Sequence, residues 1–113
     1  MKTISSRQNP LIKDLHLLAT SASERRQQAK TLLDGVHLVQ AAIAHGASLD
    51  LVCVSERGYH SAEIAALIEV LEPVTSCIYV PDVLFSHISP TDTPAGILAV
   101  IKLPTEMTVK PVT

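Results

Sequence analysis

The sequence predicts an α/β protein, a three-layer α/β/α sandwich around a mostly parallel, four-stranded sheet. From residue 31 onward, short apolar runs alternate with segments of helical period. Strands that alternate with helices usually form a sheet covered on both faces. Hydrophobic residues make up 47% of the 113 residues, enough for one core. We expect one domain over 1–104, with basic helices over 1–30 and the sandwich over 31–104. The end, PTEMTVKPVT, has two prolines and no apolar period, which predicts a linker over 105–113.

Two helices are expected in the first thirty residues. Asn9 precedes Pro10, and this pair suits a helix start because asparagine caps free backbone N–H groups and proline lacks one. The apolar residues that follow share one helix face: Leu11, Ile12, Leu15, Leu18 and Ala19. Ser21, with Glu24 three residues later, predicts a capping box at the start of the second helix.

The remaining elements alternate along the chain. The four strands are expected at 31–34, 49–55, 76–80 and 97–103. The first intervening helix ends at Gly46, and the second begins after Ser61 and ends before Pro73. A short third helix is expected at 82–88. The segment 89–96, SPTDTPAG, is rich in proline and hydroxyl residues, which predicts an ordered turn.

The composition argues against a membrane or secreted protein. No run approaches the roughly 20 apolar residues that a membrane span requires, and the start, MKTISSRQNP, lacks the apolar run of a signal peptide. We therefore expect a cytoplasmic protein that makes no membrane contact. Cys53 and Cys77 lie in apolar runs without CxxC spacing, which predicts two buried, reduced thiols rather than a metal or redox site.

No catalytic or metal-ligating motif is evident in the sequence. The histidines lack the HxxxH and HxH spacings of metal sites: His16, His37, His45, His60 and His87. No glycine-rich phosphate loop of the GxGxxG or GxxxxGK type is present either. The sequence therefore predicts no catalytic residue and no metal in this chain.

The charge distribution indicates a polyanion contact near the start of the chain. Residues 1–30 carry a net charge of plus 4, whereas residues 31–113 carry minus 6. Phosphate binding depends on local charge, so we expect a polyanion to lie against residues 1–30. A solvated basic helix face is the alternative, and charge by itself does not decide between the two.

Three groups of residues are candidates for nucleic-acid contacts, and the first two are basic. Arg7, just before the first helix, and Lys13, one turn inside it, can reach one phosphate backbone, while Asn9 offers hydrogen bonds. Arg25 and Arg26 are neighbours that project about 100° apart on a helix. We expect one of these two to contact RNA and the other to pair with an acid or lie in water.

The third group, Gly35 and His37, belongs to the turn DGVH, where a strand becomes a helix. The missing side chain of Gly35 either lets backbone N–H groups approach an anion at the helix N-terminus or merely lets the chain turn. The three aromatic residues are Tyr59, Tyr79 and Phe85. They offer no platform for base stacking, so recognition should depend on phosphates, 2'-hydroxyls and RNA shape.

Four segments resemble one enzyme family in order and spacing: ISSRQNPLIKDLHLLA, ERRQQ, TLLDGVHLVQAAIAHG and SPTDTPAGILAVIKLP. They are similar to the N-terminal substrate-binding domain of the SpoU/TrmH family of RNA 2'-O-ribose methyltransferases. The resemblance spans nearly the whole chain, and its combination of SRxNPxIK, an acid-Gly-x-His turn and TPxGILAV is fairly specific. Three positions depart from the family pattern: Leu32 and Asp34 replace its usual phenylalanine and glutamate, and Ala95 replaces its glutamine.

The resemblance implies a fold like that of the kink-turn-binding ribosomal proteins, with structured rRNA or tRNA as the partner. It implies RNA contacts by Arg7, Asn9, Lys13, Arg25 or Arg26, Gly35 and His37. It also implies a C-terminal catalytic domain, absent from this chain, that binds S-adenosylmethionine and forms a homodimer, so this chain itself holds no cofactor. Two other functions stay open: a free-standing RNA-binding protein of the same fold, and a protein-interaction domain whose basic segment binds an acidic partner.

Overall fold

The structure, a computed structural model, describes residues 1–103, and the predicted linker at 105–113 lies outside the described residues. The strands are β1 (Lys2–Thr3), β2 (Lys30–Asp34), β3 (Leu49–Ser55), β4 (Cys77–Val80) and β5 (Ile97–Lys102). The helices are α1 (Pro10–Thr20), α2 (Ala22–Gln28), α3 (Val36–Ala44), α4 (Glu56–Tyr59), α5 (Ala62–Leu71) and α6 (Asp82–Ile88). Of these elements, only β1 and α4 were not expected from the sequence.

The five strands form one mixed sheet in the order β1-β4-β3-β5-β2. β1 and β3 pair with β4 in parallel, whereas β5 runs antiparallel to both β3 and β2. The α/β class is confirmed, but the prediction of a mostly parallel, four-stranded sheet is wrong in both details. Two of the pairings are antiparallel, and β1 adds a fifth strand.

Both errors arise from features that the apolar pattern does not record. β1 has only two residues, both exposed, so it shows no alternation. A parallel β5 would require the chain to cross back, after β4, to the edge of the sheet where β4 begins. However, α6 has seven residues, about 10 Å of helix, and the next residue, Ser89, binds Asp34 at the end of β2. The chain therefore enters β5 from the edge where β4 ends.

The predicted helix starts are confirmed by their caps. The side-chain oxygen of Asn9 accepts the Leu11 N–H at 2.9 Å, and the Ser21 hydroxyl accepts the Glu24 N–H at 3.2 Å. The capping box at Ser21 is only half formed. The Ser21 N–H already donates to the Leu17 carbonyl at 2.9 Å, so the Glu24 carboxylate binds a side chain of its own helix instead.

Helices cover both faces of the sheet and bury two apolar cores. α1 and α6 pack on one face against β3, β4 and β5, and α3 and α5 pack on the other. Cys53 lies in the first core and Cys77 in the second, and both are buried, free thiols as predicted. Burial raises the pKa of each thiol, which keeps both protonated and unreactive.

Candidate nucleic-acid interface

The strands β1 to β4 all run in the same direction, because β1, β3 and β4 are parallel and β2 and β3 are both antiparallel to β5. The helices that follow them, α1, α3, α4 and α6, therefore begin at one edge of the sheet, here termed the carboxyl edge. The loop 89–96 lies there too, because it leads into β5. The longer helices α1 and α3 direct free N–H groups and partial positive charge toward this edge, which suits anions.

Arg7 and Lys13 lie at the start of α1, at the carboxyl edge. Both side chains are exposed, and within residues 1–103 neither forms an ion pair. Asn9 lies between them, and its side-chain oxygen is engaged in capping α1. The two cations are thus available to a phosphate backbone, while Asn9 has a structural role in the helix start.

Asp34 joins the end of β2 to the loop 89–96. Its carboxylate accepts the Ser89 hydroxyl at 3.0 Å and the Ala95 N–H at 3.4 Å. Gly35 follows with a φ of 108°, which other residues rarely adopt, and its N–H donates to the Ile97 carbonyl at 2.9 Å. A Cβ on Gly35 would meet the Ala95 Cβ at 3.8 Å, an ordinary contact. The backbone turn therefore accounts for this glycine without a ligand.

His37 lies close to this turn, in the first turn of α3. Its side chain is exposed, as is that of the next residue, Leu38. The structure thus places His37 at the carboxyl edge, together with Arg7 and Lys13.

An open cleft of about 350 Å³ lies at the carboxyl edge. Apolar and polar side chains line it together, among them Val36, Ile64, Phe85, Arg57 and Ser86. Two backbones meet beside it: a Cβ on Gly58 would lie 2.7 Å from the Gly96 Cα. The Ser55 hydroxyl accepts the Gly58 N–H at 2.8 Å, and the Ser55 N–H donates to the Gly96 carbonyl at 2.9 Å. Sequence reasoning missed this cluster because α4 is too short to show a periodic pattern.

Arg25 and Arg26 lie on α2, which leads into the start of β2 at the opposite, amino edge of the sheet. The Arg25 guanidinium donates to the Leu18 carbonyl at 2.6 Å, so one of the carbonyl groups left free at the end of α1 has a hydrogen-bond partner. Arg26 is exposed, whereas Lys30 is paired with Asp50 at 3.0 Å. Arg26 is therefore separated from Arg7 and Lys13 by α1, whose eleven residues span about 16 Å.

Two histidines 71 residues apart meet between α1 and α6. The rings of His16 and His87 stack with centroids 4.1 Å apart and planes inclined by 5°. His16 Nδ1 lies 2.9 Å from the His87 carbonyl oxygen, and because a carbonyl only accepts, this nitrogen carries a proton. Burial, together with the positive charges of His16 and Arg7, lowers the pKa of His87. The sequence did not predict this pair, because no local spacing relates two residues so far apart in the chain.

Comparison with known proteins identifies the family. A family model described as MRM3-like substrate binding domain matches residues 9–99, which is most of the chain. The chain belongs to this family. Relatives of this MRM3-like domain are SpoU/TrmH rRNA and tRNA methyltransferases, so the resemblance drawn from the sequence is confirmed. An uncharacterized tRNA/rRNA methyltransferase of Synechocystis sp. (strain PCC 6803) is 30% identical over 101 residues, which cover 89% of this chain and 36% of that protein.

Solved structures share the fold of the MRM3-like domain. An RNA 2'-O ribose methyltransferase is 26% identical with a TM-score of 0.76, over 98% of this chain and 41% of that one. The SpoU methyltransferase AviRb of Streptomyces viridochromogenes has a TM-score of 0.76 at 18% identity, over 88% of this chain and 37% of that one. An rRNA methyltransferase of Sinorhizobium meliloti has a TM-score of 0.70 at 19% identity, over 91% and 37%. The chain spans less than half the length of these relatives.

The structure shows what each of the three departures from the family pattern does in this MRM3-like domain. Leu32 packs against the first core, and the shorter carboxylate of Asp34 still reaches two partners in the loop 89–96. Ala95 is exposed, and its backbone N–H supplies one of those bonds. Within residues 1–103, no group of three His, Cys, Asp or Glu side chains could hold a metal ion. Over the same residues, every helix is too short or too polar to cross a membrane.

Proposed function

We propose that this domain binds structured RNA, either rRNA or tRNA, through the carboxyl edge of its sheet, in the manner of the kink-turn-binding fold. In the whole protein, a C-terminal domain transfers a methyl group from S-adenosylmethionine to a ribose 2'-hydroxyl of the bound RNA. That domain also forms a homodimer, and the protein acts in the cytoplasm. The contribution of the present chain is to hold the RNA in position, because fixed orientation accelerates a reaction between two substrates.

The placement of Arg7 and Lys13 carries the proposal. Both are exposed beside the N-terminus of α1, and neither is neutralised by an ion pair within residues 1–103. Cations next to a helix N-terminus attract phosphate oxygens, and releasing counterions from the RNA backbone supplies most of the sequence-independent affinity. His37 and the turn at Gly35 extend this interface along the same edge, and Arg26 adds a cation beyond α1.

The lengths and names of the relatives support the proposal that one domain binds RNA and another transfers the methyl group. Each extends well beyond the part that this chain matches, and each is named as a methyltransferase. Arg25 has a different part from Arg26 in this proposal: it holds the end of α1 through Leu18, and Arg26 is the one that meets RNA.

A double charge reversal, Arg7→Glu with Lys13→Glu, tests the proposal by RNA binding over a range of salt concentrations. We expect the affinity for labelled bulk tRNA or rRNA fragments to fall. The slope of log affinity against log salt should flatten by about 0.7 to 0.9 for each phosphate that the protein no longer neutralises. Lys102→Glu is the matched control, because Lys102 is also an exposed lysine but lies at the amino edge, at the end of β5. An unchanged slope in the double variant, or an equal decrease in the control, contradicts the proposal.

A further inference from the structure

We propose that the stacked His16 and His87 form, together with Arg7, a site for one RNA backbone phosphate that binds more tightly once the pair takes up a proton. This inference rests on the proposed function and deepens it. It adds two residues to the RNA interface that no sequence motif indicates, and it couples RNA binding to pH.

The nitrogens available to a phosphate follow from the hydrogen bonds of the pair. His16 Nδ1 donates to the His87 carbonyl, so His16 gains its second proton at Nε2. Within residues 1–103, no buried ring nitrogen lacks a partner, and no other hydrogen bond engages these two rings. His16 Nε2 and both nitrogens of His87 therefore reach solvent. Each can bind a proton, or donate one to a phosphate oxygen, without breaking an existing bond.

The charges around the pair favour an anion. Arg7 faces His87 from the segment before α1, close enough for its charge to lower the pKa of that imidazole. Lys13 lies one turn before His16 on the same face of α1. The acids on α1, on α6 and on the segments beside them are Asp14, Glu24, Asp34, Asp82 and Asp92. Within residues 1–103 none of them forms an ion pair with the rings. Gln28 donates to the carboxylates of Asp14 and Glu24, and the Arg57 N–H donates to that of Asp82. The Asp34 carboxylate is already engaged by the loop before β5.

The direction of the pH effect follows from this setting. In the RNA-free protein, burial and the cationic neighbours oppose a charge on His87, so it stays neutral at neutral pH. A phosphate placed beside the rings stabilises the protonated form and raises the imidazole pKa. Linkage is reciprocal, so the protonated protein binds RNA more tightly, by about tenfold for each unit by which binding raises the pKa. RNA affinity therefore increases as the pH falls from the raised pKa of the RNA-bound form toward the lowered pKa of His87 in the free protein.

RNA affinity measured at pH values from about 7.5 to about 5.5, the range in which histidine titrates, tests the inference. We expect labelled bulk tRNA or rRNA fragments to bind the unaltered chain about tenfold more tightly at the acidic end. His87→Asn and His16→Asn should each abolish most of this increase. His45→Asn should keep it, because His45 is exposed at the end of α3, on the amino edge.

Imidazole nitrogen NMR on the unaltered chain gives a second measurement that does not depend on a variant folding. The pKa of His87 should rise when RNA is added, and the ring-nitrogen shifts of His16 should change with it, whereas those of His45 should stay constant. If RNA binds with the same pH dependence in His87→Asn as in the unaltered chain, and the pKa of His87 stays constant on adding RNA, the inference is overturned and the proposed function stands. If RNA binds at neither pH, both are overturned.

Discussion

At the scale of single residues, the carboxyl edge is built by a close approach of two backbones. Gly58 and Gly96 touch where α4 passes the start of β5, and Ser55 binds both segments through its hydroxyl and its N–H. Because backbone atoms lie on both sides of the contact, neither side can move aside as a flexible side chain would. This contact sets the spacing between α4 and the loop 89–96, and thus one wall of the cleft.

The substitution Gly58→Ala tests this close approach. The added Cβ would lie 2.7 Å from the Gly96 Cα, so we expect unfolding free energy to fall by about 1–3 kcal/mol, as for other overpacked sites. The sign of this change identifies its cause, because replacing glycine by alanine in a helix otherwise raises the unfolding free energy by roughly 0.5–1 kcal/mol. Urea unfolding measures the difference. Gly46→Asn is the control, since nothing lies within 4 Å of its Cβ position and asparagine tolerates its φ of 73°. A stable Gly58→Ala protein would show that the backbones are not in contact.

At this scale, a hydrogen bond can be predicted from the sequence only when its two residues are close together along the chain. The capping roles of Asn9 and Ser21 were predictable because each accepts a bond from a residue two or three positions away. The partners of Asp34 and His16 lie 55 and 71 positions away. No local pattern records such long-range bonds, so the ordered turn at 89–96 was foreseen but its attachment to β2 was not.

At the scale of elements, the corner between α1 and α2 depends on one arginine. Arg25 reaches back seven residues to the Leu18 carbonyl, which is one of the groups that a helix end leaves without a partner. Sequence reasoning expected one of the two adjacent arginines to contact RNA and the other to pair with an acid or lie in water. In the structure Arg25 has a partner inside the protein and Arg26 is exposed. The partner is a backbone carbonyl rather than an acid, because α1 ends where α2 begins.

Paired substitutions Arg25→Ala and Arg26→Ala separate these roles. We expect Arg25→Ala to lower the unfolding free energy by about 1 kcal/mol, the usual net contribution of one hydrogen bond. Arg26→Ala should change it by less than about 0.5 kcal/mol, because the side chain is exposed. Thermal or urea unfolding of both variants provides the comparison. Equal decreases in stability would mean that the bond to Leu18 does not hold the corner.

Strand order illustrates what the apolar pattern cannot supply. The bounds of β3 and α6 agree with those expected, because each has a clear apolar pattern between distinct turn signals. The direction of β5 depends instead on where α6 ends, and the hydrogen bond between Ser89 and Asp34 shows that the chain is then at the end of β2. An antiparallel β5 brings the loop 89–96 to the carboxyl edge, beside the starts of α3 and α6.

At the scale of the whole molecule, a net charge of minus 2 conceals a local arrangement that suits a polyanion. The β–α connections bring Arg7, Lys13 and His37 to one edge, although the first two follow β1 and the third follows β2. Sequence reasoning placed the basic contact along residues 1–30, whereas the structure divides its exposed cations between two edges. The recognition that we propose at the carboxyl edge therefore depends on topology as much as on the basic segment.

Amide chemical shifts of the labelled chain, recorded with and without bulk tRNA or rRNA fragments, locate the RNA interface directly. We expect the largest changes around Arg7 and Lys13 at the start of α1 and around His37 at the start of α3. Little change is expected at the exposed Val70 and Val74 near the end of α5. Shifts that cluster instead around Lys30 and Lys102 at the amino edge, or the absence of any change on adding RNA, would contradict RNA binding at the carboxyl edge.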